Sequence, residues 1–204
     1  MSSGLLAVAP GIAGFLLMFP VDLLMSRGRH GQKTAFFLGG GALVLASIVL
    51  LVAFGSPLAV PVGARVVGWV LVGPMLLLMA YSLLVEIPLA SLYLGRAPHP
   101  PLVTSGTYAL TRHPGVLWFT LFLLSLALAA GSRSLLVATP LLVLMDVLHV
   151  WFQERMYLLP VYGEEYRRYQ RFVPMLVPTP RSLKRALATV GFWRQGAGPS
   201  GRRE

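Results

Sequence analysis

Long apolar segments alternate along this chain with short polar connections. Five of them are long enough, at roughly 20 residues, to cross about 30 Å of hydrocarbon as helices. They cover about 5–25, 35–54, 66–94, 114–130 and 135–152. Pro74 and Pro88 interrupt the third, which predicts a tilt or a kink. The pattern therefore predicts an all-α, polytopic transmembrane bundle of about five spans, with residues 1–180 forming a single membrane domain.

The composition agrees with a membrane protein and excludes several other classes. Of the 204 residues, 56% are hydrophobic and 12% are charged, whereas soluble domains are about 45–50% apolar and about 25% charged. High hydrophobicity also excludes intrinsic disorder. Because the chain has no cysteine, a disulfide scaffold, a thiolate metal site and a cysteine nucleophile are excluded. We expect a multi-pass integral membrane protein, of a bacterial-type inner or plasma membrane rather than an organelle.

The basic residues are distributed unevenly between the connections. Fifteen of the 17 Lys and Arg residues follow the first and third spans or lie in the tail, whereas Arg65 and Arg133 lie elsewhere. Basic residues accumulate on the cytoplasmic side, so the N-terminus is expected outside and the C-terminus in the cytoplasm. Attraction to anionic membrane lipids explains the net charge of +10, and no nucleic-acid partner is expected. Residues 181–204 are expected to form a basic, flexible tail.

Three of the seven acidic residues, Asp22, Glu86 and Asp146, lie within predicted spans. A charge at the bilayer centre costs on the order of 2.5–3.5 kcal/mol, so each needs a physical reason. One helical face of the fifth span carries a polar stripe made of Asp146, His149, Gln153 and Tyr157. Two interpretations remain open, namely structural pairing between helices and a polar cavity in the cytoplasmic half of the bundle. No spacing typical of a metal site occurs.

Two polar segments flank the hairpin that the last two spans form. The first is the loop 95–113, and the second is the amphipathic tail 153–178. Because residues 131–134 are the whole connection within the hairpin, both segments are expected at the same, cytoplasmic, membrane face. Within the tail, the tyrosines and arginines fall on separate faces of a short helix that begins at Gly163. This arrangement is typical of an amphipathic helix at the membrane interface with aromatic anchors.

Together the two segments resemble the isoprenylcysteine carboxyl methyltransferase family and its phospholipid methyltransferase relatives. The resemblance covers about residues 98–178. In the loop, the family pattern is matched by Leu102, Val103, Gly106, Tyr108, Arg112, His113 and Pro114. In the tail, it is matched by Glu154, Leu158, Tyr162, Gly163, Tyr166, Tyr169, Val173, Pro174 and Pro178.

The resemblance implies an S-adenosylmethionine-dependent methyltransferase with a lipophilic, membrane-dissolved acceptor, which is a carboxylate, a thiol or an amine. It implies catalytic roles for Arg112 and Glu154. The cofactor-binding residues that it implies are His99, Leu102, Val103, Gly106, Tyr108, His113, Pro114, Glu154, Tyr166 and Tyr169. To these we add a substrate pocket formed by Glu86, Asp146, His149 and Trp118. The donor is a zwitterion with a sulfonium, which suits charged partners and aromatic faces.

Three positions depart from the family pattern. Val116 and Trp118 stand where the family usually has tyrosine and glycine, and Arg155 replaces the second of two glutamates. These departures concern the acceptor pocket more than the cofactor site, and the sequence leaves the acceptor open. The sequence also does not indicate the oligomeric state. The three departures favour one alternative, a non-catalytic membrane protein on the same scaffold. A second alternative is an NADPH enzyme similar to sterol reductases, which have a similar C-terminal tail but more spans.

Overall fold

The computed structural model describes residues 6–26, 30–87 and 101–189, and the chain forms helices and no strand in these ranges. The helices are α1 (Ala9–Ser26), α2 (His30–Ala53), α3 (Val62–Ala80), α4 (Thr107–Leu110), α5 (Pro114–Ala130), α6 (Arg133–Gln153), α7 (Leu159–Phe172) and α8 (Pro180–Thr189). Two π-helical turns, Tyr81–Glu86 and Glu154–Leu158, extend α3 and α6. The all-α architecture expected from the sequence is confirmed.

Three helical stretches of the described chain are long and apolar enough to cross a membrane. They are Gln32–Ala53, Val62–Glu86 and Arg133–Phe172, and the shorter apolar helices Ala9–Val21 and Pro114–Ala130 accompany them. These five stretches follow the order of the five apolar segments in the sequence. Their composition and length are those of a multi-pass membrane protein.

The last of these stretches is longer than a membrane is thick. Its 40 residues would extend about 60 Å as a helix, which is twice the hydrocarbon thickness. The apolar part is α6, whose 21 residues are sufficient for a span. By contrast, residues 154–172 contain seven charged side chains. We therefore place the end of the span at the end of α6, with Glu154 and α7 outside the membrane-spanning part.

The third helical stretch ends earlier than its hydropathy predicts. The helix reaches Glu86, whereas the apolar segment extends to residue 94. Ile87 is extended, with φ −98° and ψ 121°. Pro88 explains this break, because a proline disfavours the helical conformation in the residue before it. Pro74, by contrast, lies within α3, which continues through it.

The helices pack through small residues and a shared apolar core. Gly40 of α2 contacts α1 so closely that a Cβ there would lie 2.7 Å from the carbonyl oxygen of Gly14. Gly68 of α3 packs on α5, where a Cβ would lie 2.6 Å from the Ala129 nitrogen. Close backbone approach of this kind is typical of membrane helices. The buried core between α1, α2, α5 and α6 contains Phe15, Val44, Ile48, Leu51, Phe119, Leu123, Leu135 and Leu142.

Two connections meet at the end of the bundle where α5 ends. The Leu58 amide donates to the Gly131 carbonyl at 2.7 Å, and the Arg133 amide donates to the Ser56 carbonyl at 2.9 Å. Arg65 joins the same end, where its Nε donates to the Ala129 carbonyl at 3.3 Å. The start of α5, with the polar loop before it, therefore lies at the opposite end of the bundle.

Residues 181–189 differ from the expectation of a flexible tail, because they belong to helix α8. Its first turn is capped reciprocally: the Thr179 amide donates to Ser182 Oγ at 2.9 Å, and the Ser182 amide donates to Thr179 Oγ1 at 3.1 Å. Ala186 is buried with the α4 residues Ala109 and Leu110. This burial stabilises a helix that the polar composition of the tail does not reveal. Residues 190–204 lie outside the described chain.

Candidate functional site

The loop before α5 and the tail after α6 lie side by side, as the short hairpin predicts. The amide of Arg112 donates to the Pro174 carbonyl at 2.9 Å, and the amide of His113 donates to the Met175 carbonyl at 3.3 Å. His113 immediately precedes α5, and Pro114 occupies its first turn, where a missing amide hydrogen costs nothing. The local sequence thus fixes Arg112 and His113 against the tail.

Glu154 organises a buried cluster of polar side chains at this junction. Its Oε1 accepts from Arg112 Nε at 2.8 Å, from His113 Nε2 at 2.9 Å and from the Tyr166 hydroxyl at 2.8 Å. Its Oε2 accepts from Gln170 Nε2 at 2.8 Å. Glu154 and His113 are both buried. A carboxylate with four donors has little capacity left for a further ligand.

The surroundings shift the pKa values of two members of the cluster, Glu154 and Tyr166. Burial raises the pKa of the Glu154 carboxyl, but hydrogen bonds from His113, Arg112 and Tyr166 outweigh burial and hold that pKa at about 2. Burial and the neighbouring Glu154 charge raise the pKa of the Tyr166 hydroxyl. At neutral pH Glu154 is therefore an ionised acceptor, and Tyr166 is a protonated donor.

Arg112 and Tyr169 connect the cluster to the backbone on both sides. Arg112 Nη1 donates to the carbonyls of Val173 at 2.8 Å and Gln170 at 3.4 Å. The Tyr169 hydroxyl donates to the Tyr108 carbonyl at 2.6 Å. Arg112 Nη2 donates to Glu154 Oε2 at 3.4 Å. Arg112 therefore joins the Glu154 carboxylate to the backbone of the tail.

Two residues expected in the substrate pocket hold the loop instead. The Glu86 carboxylate accepts from the Thr107 amide at 2.9 Å and also from the Thr107 hydroxyl. Trp118 Nε1 donates to Ser82 Oγ at 2.9 Å, and Ser82 in turn bonds Thr107 Oγ1 at 2.9 Å. The helix that carries Glu86 ends beside Gly106, so its carboxylate meets the start of α4 and not the cavity described next.

A cavity of about 420 Å³ lies beside the Glu154 cluster. Its lining from the loop and tail includes Leu102, Val103, Tyr108, Arg112, His113, Tyr162, Tyr166 and Tyr169. Its lining from the membrane helices is mostly apolar and includes Phe15, Met18, Phe37, Val44, Met79, Val116 and Phe119. The same cavity therefore contacts both the polar junction and the interior of the bundle.

The polar stripe of the fifth apolar segment faces this cavity. All four of its members, Asp146, His149, Gln153 and Tyr157, line the cavity wall. His149 packs edge-on against Phe19 at a ring-centroid distance of 5.6 Å, and its buried Nδ1 has no hydrogen-bond partner within the described chain. Asp146 and His149 are thus ionisable groups that line the cavity together with apolar residues of the membrane helices. The side chain of Asp22 lies outside the described residues.

The predicted cofactor residues fall into three groups. Seven of the residues expected to be catalytic or cofactor-binding line the cavity, namely Leu102, Val103, Tyr108, Arg112, His113, Tyr166 and Tyr169. Gly106, Pro114 and Glu154 are described but are not among its lining residues, and His99 lies outside the described residues. Sequence reasoning missed Gln170, although it follows Tyr166 by four residues and so shares its helical face.

The three departures from the family pattern have different surroundings. Val116 is buried and lines the cavity. Trp118 holds Ser82. Arg155 is exposed, and its guanidinium lies 4.2 Å from the ring centroid of Trp151. Of the three, Val116 alone changes the cavity wall.

Comparison with known proteins identifies the family. A family model described as phospholipid methyltransferase matches residues 64–165, which is half of the chain. The chain belongs to the phospholipid methyltransferase family. Its membership confirms the resemblance seen in the two polar segments and implies a membrane methyltransferase activity. No curated protein and no solved structure matches the chain significantly.

The family match covers most of the polar junction. In this phospholipid methyltransferase family member, the matched range begins in α3 and ends in α7, and so includes Arg112, His113 and Glu154. Tyr166 and Tyr169 follow directly after it. A membrane methyltransferase family and three helices long and apolar enough to span a bilayer together indicate an integral membrane protein.

Proposed function

We propose that this family member transfers a methyl group from S-adenosylmethionine to a lipophilic, membrane-dissolved acceptor, which is a carboxylate, a thiol or an amine. The observation that supports this is the cavity of about 420 Å³, because both the loop–tail junction and the membrane helices line it. A water-soluble donor and a membrane-dissolved acceptor can meet in such a chamber. Methyl transfer depends mainly on alignment and on the exclusion of water. We place the donor at the cytoplasmic face, where most basic residues are expected.

The residues at the junction fit the chemistry of the donor. Tyr108, Tyr162, Tyr166 and Tyr169 line the cavity, and aromatic faces attract cations such as a sulfonium. Arg112 also lines the cavity, and its guanidinium suits a carboxylate. When bound, S-adenosylmethionine supplies the electrophilic methyl group.

Glu154 acts in this proposal as a positioning residue. Its oxygens already accept from Arg112, His113, Tyr166 and Gln170, so it orients these donors rather than a ligand ammonium. Arg112 and His113 line the cavity and would contact the donor directly. Leu102 and Val103 would complete the donor pocket, with Gly106 and Pro114 fixing the course of the loop.

Asp146 and His149 would contact the acceptor. Both line the cavity on α6, and His149 Nδ1 offers a buried nitrogen without a protein partner in the described chain. An amine or a thiol must lose a proton during methylation, and these two groups would accept it, whereas a carboxylate needs no base. Val116, which also lines the cavity, would help to shape the space for the acceptor.

Calorimetric titration of the purified protein with S-adenosylmethionine tests the donor site, with NADPH as the comparison ligand. We expect Glu154→Gln to weaken donor binding at least tenfold, because it leaves Arg112 and His113 without their carboxylate. The matched control is Glu164→Gln on α7, since Glu164 is exposed and its ion pairs to Arg167 and Arg171 are 4.0 and 3.7 Å long.

A second variant guards against simple unfolding. Breaking a buried ion pair costs about 3–5 kcal/mol, so Glu154→Gln is also tested for thermal stability. Tyr166→Phe keeps the Arg112–Glu154 pair and removes one donor, and we expect it to weaken donor binding severalfold in a folded protein. Unchanged affinity in both folded variants would contradict the assigned site.

The alternatives give different results in the same experiment. A folded protein that binds neither ligand would contradict the enzyme and favour a non-catalytic protein on the same scaffold. Binding of NADPH instead of S-adenosylmethionine would favour the reductase. Once donor binding is established, a labelled methyl donor added to membrane lipid extracts identifies the acceptor, and Asp146→Asn should lower product formation more than donor affinity.

A further inference from the structure

The last part of the described chain combines strong positive charge with exposed apolar side chains. Between residues 166 and 189 there are six basic residues and no acidic one. In the same stretch Phe172, Val177, Leu183 and Leu187 are 59%, 76%, 49% and 70% exposed. Large apolar side chains next to cations on an exposed helix are typical of a surface that binds a lipid interface.

Helix α8 separates these properties onto three faces. Ser182 and Ala186, four residues apart, are buried against the protein. Leu183 and Leu187 follow them on the next face and are exposed. Arg181, Lys184 and Arg185 occupy the remaining face, and all three are exposed. We call the exposed apolar and basic faces together the α8 surface.

The buried face of α8 holds the loop of the proposed donor site. Thr189 Oγ1 accepts from the Gly106 amide at 2.9 Å. Ala186 packs with Ala109 and Leu110 of α4. Arg185 Nη1 donates to the Phe172 carbonyl at 3.0 Å, which ties α8 to the end of α7. The position of α8 therefore affects the loop that carries Tyr108 and Arg112.

We propose that the α8 surface binds anionic lipid headgroups at the membrane face, and that this contact holds the loop 101–110 in its donor-binding conformation. Each basic residue close to an anionic bilayer adds attraction, and the two leucines add apolar burial at the headgroup boundary. The coupling to the donor rests on the proposed function, whereas the lipid contact does not. Helix α8 contains no aromatic residue on which nucleic-acid bases could stack, and the neighbouring Phe172 of α7 lies 5.4 Å from the Arg185 guanidinium.

The lipid contact is tested in nanodiscs with a fluorescent reporter. Because the chain has no cysteine, Leu187→Cys can be labelled at one site with an environment-sensitive dye. We expect its emission to shift to shorter wavelength as phosphatidylglycerol replaces phosphatidylcholine. A dye at Ala188→Cys, toward the basic face, should shift less.

A matched pair of charge reversals shows whether the α8 surface is responsible. In the reporter protein, Lys184→Glu should raise the anionic-lipid fraction for half of the shift severalfold, since the reversal removes one attractive charge and adds a repulsive one near the bilayer. Arg133→Glu, an exposed reversal at the other end of the bundle, should leave the fraction unchanged. A shift independent of anionic lipid, or equal effects of both reversals, would overturn the proposal. So would an equal shift on adding an RNA oligonucleotide to neutral nanodiscs.

Titration with S-adenosylmethionine in the two kinds of nanodisc tests the coupling. Anionic lipid should tighten donor binding severalfold, and Thr189→Val should abolish this gain while the dye shift persists. If the dye shifts and donor affinity stays equal in both lipids, the coupling is wrong. If the donor binds in neither lipid while the dye still shifts, the proposed function fails and the lipid surface stands.

Discussion

Gly106 stands where the loop turns back toward the end of α3. Its φ of 62° and ψ of −131° belong to a region that side chains other than glycine rarely adopt. A Cβ at this position would also collide with Oε1 of Glu86, a carboxylate that the Thr107 amide holds at 2.9 Å. Both the backbone and the neighbouring carboxylate therefore require glycine here, which explains physically one residue of the family pattern.

We expect Gly106→Ala to destabilise the protein more than Gly163→Ala. Gly163 has nearly the same backbone conformation, φ 53° and ψ −123°, but a Cβ there would meet no atom within 4 Å. In the Gly163 variant, only the strained backbone conformation should lower the free energy of unfolding, by about 1–3 kcal/mol. In the Gly106 variant, the same strain should lower the free energy of unfolding, and the displacement of the Glu86 carboxylate by the new Cβ should lower it further. Thermal unfolding in detergent measures both, and equal losses would contradict the role of Glu86.

The sequence indicates which residues meet at the site better than it indicates what they do. Arg112, His113 and Glu154 come together because a short hairpin returns the chain to the same end of the bundle, which the spacing predicts. That Glu154 is saturated by four donors depends on Gln170 and on the fold of the tail. Glu86 is an acidic residue within an apolar segment, which suggests a pocket residue. Because its helix ends at Glu86, the carboxylate instead accepts from the Thr107 amide.

The three successive glycines of α2 show how unequal neighbouring positions on a helix are. At Gly40 a Cβ would lie 2.7 Å from the Gly14 carbonyl oxygen, whereas at Gly39 nothing lies within 4 Å and at Gly41 the nearest atom, in Met18, is 3.9 Å away. Successive residues point about 100° apart around a helix, so one glycine in three faces α1. Gly40 is therefore the position at which α1 and α2 approach each other.

Alanine at positions 40 and 39 should have opposite effects. Gly40→Ala forces the backbones of α1 and α2 apart and is expected to cost about 1–3 kcal/mol, as overpacking does. Gly39→Ala adds a better helix former in open space and is expected to be neutral or to stabilise by up to about 1 kcal/mol. Thermal unfolding followed by circular dichroism compares the two. A Gly39 variant as unstable as the Gly40 variant would show that the contact is not responsible.

The apolar helices could be predicted because a long apolar stretch is visible in the sequence without knowledge of the packing. Two helix boundaries could not be predicted in this way. The break at Ile87 depends on a single proline within an otherwise apolar segment. Helix α8 depends on the burial of Ala186 against α4 and on the Thr179–Ser182 cap. The composition of this segment, which is that of a flexible tail, reveals neither contact.

The molecule has two chemically different ends. The connections around Ser56 and Ser132 close one end with backbone hydrogen bonds and carry Arg65 and Arg133. The other end carries the Glu154 cluster and α8. The cavity lies between the Glu154 cluster and the apolar core, so its lining changes from tyrosine and charge to phenylalanine, valine and methionine. A donor from water and an acceptor from lipid would then enter from different surroundings, which is the arrangement that the proposed function requires.

The orientation of these two ends can be measured by single-cysteine labelling, since the chain has no cysteine of its own. Ala59→Cys lies at the end with Arg65 and Arg133, and Arg168→Cys lies on α7 at the other end; both side chains are exposed. With 15 of 17 basic residues assigned to the cytoplasmic side, a membrane-impermeant maleimide should label Ala59→Cys in intact cells. It should label Arg168→Cys only after permeabilisation. The reverse result would invert the orientation and place the Glu154 cluster outside the cytoplasm. Labelling of both variants in intact cells would contradict a bundle whose two ends lie on opposite sides of the membrane.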